Sequence, residues 1–411
     1  MNMNENQLET IRRILSTLKL DSPFYREMYA DVDVSKVIDQ ESFEKLPLTD
    51  KADLRIAYPL GLAAVPEKEI VRIHSSSGTT GTPVIIPYTQ KDIDDWAIMF
   101  ERCYRLAGMT GDDRVQITPG YGLWTAGIGF QCGAEKLGAM VIPMGPGNSE
   151  KQIRFMIDFE TTVLCATSSY ALLLSEEIKK QEVGDKVKLK KAIIGSERWG
   201  DKMRNRIAKD LGVELYDIYG LTEIYGPGIG ISCDYENGIH LWDDFIYFEI
   251  INPKTGEVLP DGEEGELVIT TLQKEGAPLI RYRTHDLTRI IPGECPCGCK
   301  YPRIDIITGR TDDMVKVKGV NMFPAQFEET LSEIDGIECE YQVMIDHLNG
   351  KDILTLYFET GLPESEWDSI QESVQERFKS KVGVTINPKA VHIKDLPRYE
   401  KKTSRIFDNR Y

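Results

Sequence analysis

Short apolar runs alternate with longer amphipathic stretches through the middle of the chain. Strand-like runs occupy residues 114–117, 139–143, 162–166, 191–195 and 214–218. Helical spacing of apolar positions is found at residues 89–107, 124–137, 149–159, 169–181 and 200–211. A further helical pattern covers residues 5–19. This alternation predicts a layered α/β fold with a mostly parallel sheet.

The pattern changes twice further along. Residues 231–308 have closely spaced strand-like segments separated by Gly, Pro and Asp turns, which predicts a β-rich subdomain. After residue 310 the pattern resets to a helix, two strands, a second helix and a strand, the content of a small α+β domain. We therefore predict an N-terminal domain of residues 1–311, with its β-rich subdomain at 231–308, and a C-terminal domain of residues 312–411.

Charge and composition narrow the class of protein. The chain has 411 residues, 41% of them hydrophobic and 28% charged, as in ordinary globular proteins, and its net charge is −17. Such an acidic protein is a poor partner for nucleic acid or an anionic membrane surface. There is no apolar run long enough for a transmembrane helix, and the polar first ten residues do not resemble a signal peptide. We therefore expect a cytoplasmic protein that binds neither nucleic acid nor membrane.

The most informative segment is SerSerSerGlyThrThrGlyThrPro at 75–83, which follows a strand-like run. Six of its nine residues are Ser or Thr, and two are glycines that permit a sharp turn. Such a loop offers hydroxyl and backbone N–H donors to phosphate oxygens. It lacks the Gly-Lys-Ser/Thr end of a Walker loop, and a loop of this composition taken alone is more often a plain turn.

Five further segments follow in a fixed order. They are GlySerGlu (195–197), TyrAspIleTyrGlyLeuThrGlu (216–223), TyrArgThrHisAspLeu (282–287), ThrGlyArgThrAspAspMetValLysValLysGly (308–319) and ArgTyrGluLysLys (398–402). With the loop at 75–83 they closely resemble the motifs of the adenylate-forming enzymes. TyrGlyLeuTrpThrAlaGlyIleGlyPhe (121–130), LysGlyValAsnMetPhePro (318–324) and LeuProArg (396–398) resemble the phenylacetate–CoA ligase family in particular.

The resemblance implies a nucleotide site built from these segments. The residues that it assigns to nucleotide binding are Ser75, Ser76, Ser77, Gly78, Thr79, Thr80, Gly81, Gly195, Ser196, Glu197, Asp217, Ile218, Tyr219, Gly220, Leu221, Thr222, Asp286 and Arg310. Within this set Tyr219 is expected to stack on adenine, and Asp286 with Arg310 to bind the ribose hydroxyls. From the residues alone, Asp286 could equally cap a turn and Arg310 could form a structural ion pair.

Three residues are assigned to catalysis by the same resemblance. They are Thr80, a hydroxyl donor to phosphate, Glu223, a ligand for Mg²⁺, and Lys402, a cation for the reacting carboxylate and α-phosphate. Glu223 could instead be an ordinary surface glutamate. The neighbouring Lys401 is a rival for the role of Lys402, and a solvated basic tail is the alternative for both.

The remaining assignments concern the acid, CoA and domain movement. The acid pocket is expected at Tyr121, Gly122, Trp124 and Gly127, although Trp124 on its own could be an ordinary core aromatic. Lys316, Lys318 and Gly319 are expected to approach the pantetheine of CoA. Asp312, at the predicted domain boundary, is expected to be the hinge about which the small domain rotates.

A cluster of cysteines predicts a metal site. CysProCysGlyCys at 295–299, together with Cys233 and His240, offers the Cys and His ligands of a tetrahedral structural Zn²⁺ site. Relatives with the paired Cys…His and Cys-Pro-Cys-Gly elements favour Cys233, His240, Cys295 and Cys297, leaving Cys299 as a spare. Free thiols are the alternative.

We conclude from the sequence that the chain is an ATP-dependent ligase that joins an aryl or arylacetic acid to coenzyme A through an acyl-adenylate. Its expected partners are therefore a small carboxylic acid, ATP and CoA, its expected metals are Mg²⁺ and Zn²⁺, and a homodimer stays open. Two rival functions remain at this point. One is an adenylating enzyme that passes the acyl group to a carrier protein or an amine, and the other is a catalytically silent nucleotide-binding protein.

Overall fold

The computed structural model describes residues 3–76, 82–197, 199–312, 315–317, 320–322, 324–348, 351–398 and 405–409. The α-helices in these residues are α1 (Glu5–Asp21), α2 (Pro23–Met28), α3 (Gln40–Glu44), α4 (Lys51–Ile56), α5 (Gln90–Leu106), α6 (Ala126–Leu137), α7 (Ser149–Asp158), α8 (Ser168–Lys180), α9 (Asp201–Leu211), α10 (Pro324–Ser332) and α11 (Trp367–Val382). None of the described helices is long and apolar enough to cross a membrane.

The strands follow the same order of elements that the apolar pattern predicted. They are β1 (Arg72–Ser75), β2 (Ile85–Tyr88), β3 (Arg114–Ile117), β4 (Met140–Pro143), β5 (Val163–Ala166), β6 (Lys191–Gly195), β7 (Glu214–Leu221), β8 (Gly226–Ser232), β9 (Ile239–Leu241), β10 (Ile246–Ile251), β11 (Gly265–Thr271), β12 (Tyr282–Thr288), β13 (Ile290–Ile291), β14 (Arg303–Ile304), β15 (Gly309–Arg310), β16 (Val315–Val317), β17 (Val320–Met322), β18 (Ile337–Leu348), β19 (Lys351–Thr360), β20 (Asn387–His392) and β21 (Ile406–Asp408).

The described residues divide into two compact units. The first contains residues 1–166, 186–196 and 214–307, and the second contains residues 167–185, 197–213 and 308–411. Helices α8 and α9 therefore belong to the same unit as the C-terminal part of the chain, which begins only at residue 308.

The first unit is organised around a mixed sheet. Among the described residues its strand order is β13-β14-β9-β8-β7-β6-β5-β3-β4. The five strands from β7 to β4 are parallel to their neighbours, and β8 reverses direction beside β7. All four residues of β5 are buried, as expected of a central parallel strand. Strands β10, β11 and β12 form a separate antiparallel arrangement, so the stretch 231–308 contributes to two sheets.

Local signals in the sequence explain where the helices of this unit begin and end. At the start of α5, Thr89 accepts the N–H of Asp92 while Asp92 accepts the N–H of Thr89, a reciprocal capping box. Helix α6 ends at Gly138, whose φ of 88° is a left-handed conformation that favours glycine. Small residues on α6 allow close packing, because a Cβ at Gly133 would meet Cβ of Phe100 at 2.3 Å.

The second unit contains a four-stranded sheet with the order β20-β19-β18-β21. Strands β18 and β19 are antiparallel, and β20 and β21 add to the edges in parallel. The rings of Phe327 on α10 and Phe378 on α11 stack with their centroids 4.8 Å apart, next to the buried face of the sheet. The structure thus has the α/β fold class and the small α+β C-terminal portion that the sequence predicted.

Candidate active site

The predicted segments of the first unit meet at the carboxyl ends of the parallel strands. Ser75, at the end of β1, donates its backbone N–H to the carbonyl of Leu123 over 3.0 Å. This contact joins the phosphate loop to the segment 121–127. The hydroxyls of Thr125 and Thr222 lie 3.2 Å apart, which joins 121–127 in turn to the segment 216–223.

A short hydrogen bond joins two residues that were both predicted to bind nucleotide. The phenol of Tyr219 donates to Oδ2 of Asp286 over 2.6 Å, and both residues are buried. Tyr216 faces elsewhere and donates its phenol to Glu214 over 3.3 Å, so only one of the two tyrosines turns toward Asp286. A role for Tyr219 in stacking on adenine stays a prediction.

Gly195, at the end of β6, lies very close to Ile218 on β7. A Cβ at this position would lie 2.7 Å from both the carbonyl oxygen and Cγ2 of Ile218, a distance that real Cβ atoms do not tolerate. The next residue, Ser196, has a φ of 71°, so the chain turns sharply as it leaves the strand. The end of β6 therefore has no side chain at Gly195, and ligands commonly bind at such strand ends in open α/β sheets.

The loop at 75–83, which is predicted to bind phosphate, begins with two hydrogen-bonded serines. The hydroxyl of Ser76 accepts the N–H of Val84 over 3.0 Å, and the hydroxyl of Ser75 donates to the Ser76 carbonyl over 2.8 Å. These bonds hold the base of the loop closed. Ser77, Gly78, Thr79, Thr80 and Gly81 lie outside the described residues.

Glu223 is not the exposed glutamate that its sequence context also allowed. Its side chain is 6% exposed, and Oε1 lies 2.9 Å from Nζ of Lys51 at the start of α4. A buried carboxylate paired with a partly exposed lysine (the Lys51 side chain is 37% exposed) has the donor chemistry of a divalent-cation ligand.

The residues predicted for the acid pocket separate into buried and exposed members. Tyr121 packs its ring against Gly127, where an added Cβ would meet Cδ2 of the ring at 2.8 Å. The phenol oxygen of Tyr121 is buried without a hydrogen-bond partner among the described residues. Burial raises the pKa of this phenol, so it stays a neutral donor. Trp124 is 51% exposed and is therefore not a core aromatic.

Some predicted residues lie in the second unit. Glu197 accepts hydrogen bonds from the hydroxyl of Ser168 and the N–H of Ser169, each over 3.0 Å, at the first turn of α8. Arg310 forms a two-pronged pair with Asp312, with both N···O distances 2.8 Å. The predicted ribose ligand and the predicted hinge residue thus neutralise each other's charge.

Other predicted residues fall outside the description. Lys318, Gly319, Lys401 and Lys402 are not described, and only the backbone of Lys316, in β16, is described. Their roles stay predictions.

The cysteine and histidine residues that the resemblance singled out lie together in the structure. The ligand atoms of Cys233, His240, Cys295 and Cys297 all lie within 4.8 Å of one another. Sγ of Cys233 is 3.6 Å from Sγ of Cys295, and Sγ of Cys297 is 3.4 Å from Nε2 of His240. A tetrahedral Zn²⁺ with Zn–S distances of about 2.3 Å places its sulfur ligands about 3.8 Å apart, so the spacing fits the ion.

The second nitrogen of His240 orients the ring. Nδ1 lies 2.9 Å from the carbonyl oxygen of Tyr301, which accepts its N–H and leaves Nε2 as the ligand atom. Burial lowers the pKa of His240 and keeps the ring neutral, the form that binds metal. Cys299 is not in the cluster, and its backbone N–H donates to Sγ of Cys297 over 3.4 Å.

Reasoning from the sequence missed several side chains that support this site. Nζ of the buried Lys274 lies 3.7 Å from the ring centroid of Tyr88 and 4.2 Å from that of Tyr225, two residues beyond Glu223. Tyr88 also donates its phenol to the Tyr225 carbonyl over 2.9 Å. A cation held between two aromatic faces ties β2 to the segment that carries Glu223. Nothing in the local sequence distinguishes Lys274 from a surface lysine, and the same is true of Lys51.

Comparisons with known proteins show which family the chain belongs to. The family model for AMP-binding enzymes matches residues 17–273, and that for the AMP-binding enzyme C-terminal domain matches residues 319–410. The chain is 40% identical to the phenylacetate-coenzyme A ligase of Pseudomonas putida over 99% of this chain and 94% of that one. It is also 40% identical to the phenylacetate-coenzyme A ligase of Escherichia coli (strain K12), over 99% of this chain and 96% of that one.

A solved structure of similar shape is that of 2-hydroxyisobutyryl-CoA ligase in the postadenylation state, in complex with R3-HIB-AMP. It has a TM-score of 0.89 at 25% identity and covers 98% of this chain and 89% of that one. The chain therefore belongs to the phenylacetate–CoA ligase family of AMP-binding enzymes. The family, the fold class and the enzyme class predicted from the motifs are confirmed.

Proposed function

We propose that this enzyme ligates an aryl or arylacetic acid, such as phenylacetate, to coenzyme A in two steps. In the first, a carboxylate oxygen attacks the α-phosphorus of ATP, the bond to the β-phosphate breaks, and pyrophosphate leaves. In the second, the CoA thiol attacks the acyl carbon and AMP leaves. The observation that carries the proposal is the 40% identity to curated phenylacetate-coenzyme A ligases over nearly the whole chain.

The nucleotide is bound, in this proposal, where the segments of the first unit converge. Asp286 accepts the ribose hydroxyls, and the 2.6 Å bond from Tyr219 holds its carboxylate in place. The bare backbone at Gly195 and Ser196 and the segment 217–222 lie beside adenine. The hydroxyls and N–H groups of residues 75–81 bind the β- and γ-phosphates. Glu197 and Arg310 complete the proposed nucleotide set, each with its side chain already engaged within the second unit.

The acid is bound by the segment 121–127. Gly127 packs its backbone against the ring of Tyr121, and we propose that this ring forms one wall of a slot that suits an aromatic acid. The phenol oxygen of Tyr121 is the unpartnered buried polar atom there, and it gives the pocket one hydrogen-bond donor. Trp124, half exposed, covers the outer side.

Glu223 is the proposed ligand for the Mg²⁺ that accompanies ATP. Phosphoryl transfer depends mainly on positioning and charge neutralisation, which the ion supplies when bound. Lys51, 2.9 Å from Glu223, neutralises the carboxylate in the structure and competes for the same oxygen. Thr80 is the proposed hydroxyl donor to the phosphates.

Lys402 is the proposed cation for the first step, and the C-terminal domain of residues 312–411 is proposed to turn about Asp312 between steps. Lys316, Lys318 and Gly319 would then contact CoA in the second step. A cation aimed at the charge that builds on the carboxylate and α-phosphate is the kind of group whose loss costs a large factor in rate.

Zn²⁺ is proposed as a structural ion held by Cys233, His240, Cys295 and Cys297. The four ligands close a tetrahedral shell, so the ion would stabilise the loops and take no part in the reaction. We also propose a cytoplasmic location. All eight cysteines are free thiols in the structure, which suits a reducing compartment. Formation of a homodimer stays a prediction that light scattering of the purified protein tests.

The test is a panel of carboxylic acids scored by ATP–pyrophosphate exchange, followed by CoA-dependent thioester release. We expect exchange to be strongest with arylacetic or aryl acids and thioester to form only when CoA is added. Transfer to an amine or carrier protein without CoA would favour the rival adenylating enzyme. Absence of exchange with every acid would favour a nucleotide-binding protein.

A further inference from the structure

A buried glutamate organises the segment that leads to Lys402. Glu359, on β19, is fully buried. Its Oε1 accepts the backbone N–H groups of Lys394 over 2.9 Å and of Leu396 over 3.2 Å. The guanidinium of Arg398 adds two parallel bonds, Nη1 to Oε1 and Nη2 to Oε2, each 2.8 Å. One carboxylate therefore fixes the backbone of residues 394–398 and the arginine that ends it.

The fork of Arg398 is itself held on more than one side. Nη1 also donates to the carbonyl of Leu396 over 3.2 Å, and Nε lies 3.6 Å from Oε2 of Glu176 on α8. Its side chain is 13% exposed. Two-pronged arginine–carboxylate pairs in such surroundings are geometrically specific, and lysine cannot reproduce them.

A second arginine, Arg405, is the first described residue after Lys402 in the sequence. Nη1 of Arg405 donates to the carbonyl of Cys339 over 3.1 Å, and Nη2 lies 3.5 Å from Glu340. The guanidinium carbon is 4.7 Å from the ring centroid of Tyr341. The carbonyl of Arg405 accepts the N–H of Val343 over 2.8 Å, which starts the pairing of β21 with β18.

The two anchors stand on adjacent strands. Glu340 precedes Tyr341 on β18 and Glu359 follows Phe358 on β19, and Tyr341 pairs with Phe358 in the antiparallel register. Residues 399–404, which include Lys401 and Lys402, connect the two arginines. The described residues that flank this segment, Arg398 and Arg405, are therefore both anchored to neighbouring strands of one sheet.

We infer that Arg398 and Arg405, held by Glu359 and Glu340, are positioning residues that set where Lys402 stands for adenylation. The inference rests on the proposed role of Lys402. Neither arginine needs to touch the substrate. A catalytic group misplaced by about 1 Å can lower the reaction rate by about 100-fold. We therefore expect the geometry of the two anchors to affect the rate of adenylation as well as the stability of the fold.

The experiment measures the two half-reactions separately in the full-length enzyme. Arg398→Lys and Arg405→Lys keep the positive charge and remove the fork, so neither leaves a buried carboxylate without a cation. We expect each to lower the kcat of ATP–pyrophosphate exchange by about 10- to 100-fold. We expect thioester formation from pre-made acyl-AMP, and the KM for ATP, to change by less than about 2-fold, because these do not depend on Lys402.

The matched control is Arg377→Lys. Arg377 lies on α11 in the same domain and pairs with Glu333 at 3.7 Å, but it is 52% exposed and far in sequence from Lys402. We expect it to leave both half-reactions unchanged. Equal loss of both half-reactions in Arg398→Lys, together with a lowered melting temperature, would overturn the inference and indicate a merely structural pair.

Combining Arg398→Lys with Lys402→Ala in one enzyme distinguishes a failure of this inference from a failure of the proposed function. If Lys402→Ala abolishes exchange and Arg398→Lys has no further effect in that background, both stand, because the two residues act as one unit. If Lys402→Ala lowers exchange but Arg398→Lys does not, only the positioning role fails. If Lys402→Ala leaves exchange unchanged, the assignment of Lys402 fails and the positioning role with it, whatever the acid panel shows.

Discussion

Tyr219 and Asp286 lie 67 residues apart in the chain and share a hydrogen bond of 2.6 Å between the phenol and a carboxylate oxygen. The bond connects the carboxyl end of β7 with β12, from a different sheet of the same unit. It fixes the orientation of the carboxylate that we assign to the ribose.

The first prediction removes this bond. Tyr219→Phe should raise the KM for ATP by about 10-fold, because hydrogen bonds to charged groups contribute about 1.5–3 kcal/mol. The KM for the acid should change little. The measurement is steady-state kinetics with each substrate varied in turn. Tyr216→Phe is the control on the same strand, since its phenol contacts Glu214, and an equal effect in both variants would count against the role of Tyr219.

The second prediction concerns the proposed hinge. Asp312→Pro restricts φ and removes a backbone N–H. We expect thioester formation from pre-made acyl-AMP to fall while adenylation continues. Asp312→Ala is the control, because it also removes the ion pair with Arg310 but leaves the backbone free. If neither half-reaction changes in Asp312→Pro, the pivot lies at another residue.

The third prediction concerns zinc. Elemental analysis of purified protein should find about one Zn²⁺ per chain, as a single tetrahedral site requires. Cys295→Ser should lower both the zinc content and the melting temperature, because it removes one of four ligands. Cys299→Ser is the control and should do neither, since Cys299 is not one of the four residues whose ligand atoms meet and its backbone N–H contact with Cys297 survives the change. Protein made with ample metal that contains no zinc would contradict the site.

The fourth prediction tests the acid pocket. Gly127→Ala places a Cβ 2.8 Å from both the carbonyl of Gly120 and the ring of Tyr121, so the segment must move. We expect the KM for the acid to rise severalfold more than the KM for ATP. Gly120→Ala is the matched control, because its Cβ meets only Trp124, at 3.9 Å. Equal changes in both Michaelis constants would indicate a general distortion instead.

The fifth prediction is a pH dependence of stability. The pKa of His74 is lowered from 6.5 to about 4, mainly by burial; the Leu123 carbonyl 3.1 Å from Nδ1 acts to raise this pKa, and the positive charges of Arg72 and Lys274 act to lower it. At a pH between about 4 and 6.5, the His74 side chain binds a proton in the unfolded chain but not in the folded chain. The free energy of unfolding therefore falls as the pH is lowered from 6.5 toward 4.

His74→Gln should remove this part of the acid sensitivity. When the pH is lowered from 7.5 to 5, the free energy of unfolding of His74→Gln should rise by about 2 kcal/mol relative to that of the wild type, which is the value of 1.5 pKa units. Urea unfolding of both proteins at the two pH values measures this difference. The same difference at both pH values would mean that His74 does not titrate in this range.

The sequence alone determined the order of elements, the enzyme family and the segments that we propose for the site. The alternation of apolar runs and amphipathic stretches is local, and it placed β3, β5, β6 and the helices between them to within one or two residues of their observed ends. Ordered motifs identified the enzyme family, because residue types at fixed spacing reflect what the phosphates, the ribose and the metal require. The cysteines and the histidine pointed to a metal cluster, and the resemblance to the family, not their spacing, singled out the four residues whose ligand atoms meet in the structure.

The tertiary structure decided which side chains support those residues. Lys51 reaches Glu223 across 172 positions of sequence, and Arg398 reaches Glu359 across 39, and neither lysine nor arginine differs locally from a surface cation. The burial of these side chains could not be read from the sequence. The structure was needed to show that Trp124 is exposed and not a core aromatic, and that Glu223 is buried and not a surface glutamate. Burial and long-range pairing depend on how strands and helices pack in three dimensions, and no periodicity within one segment contains that information.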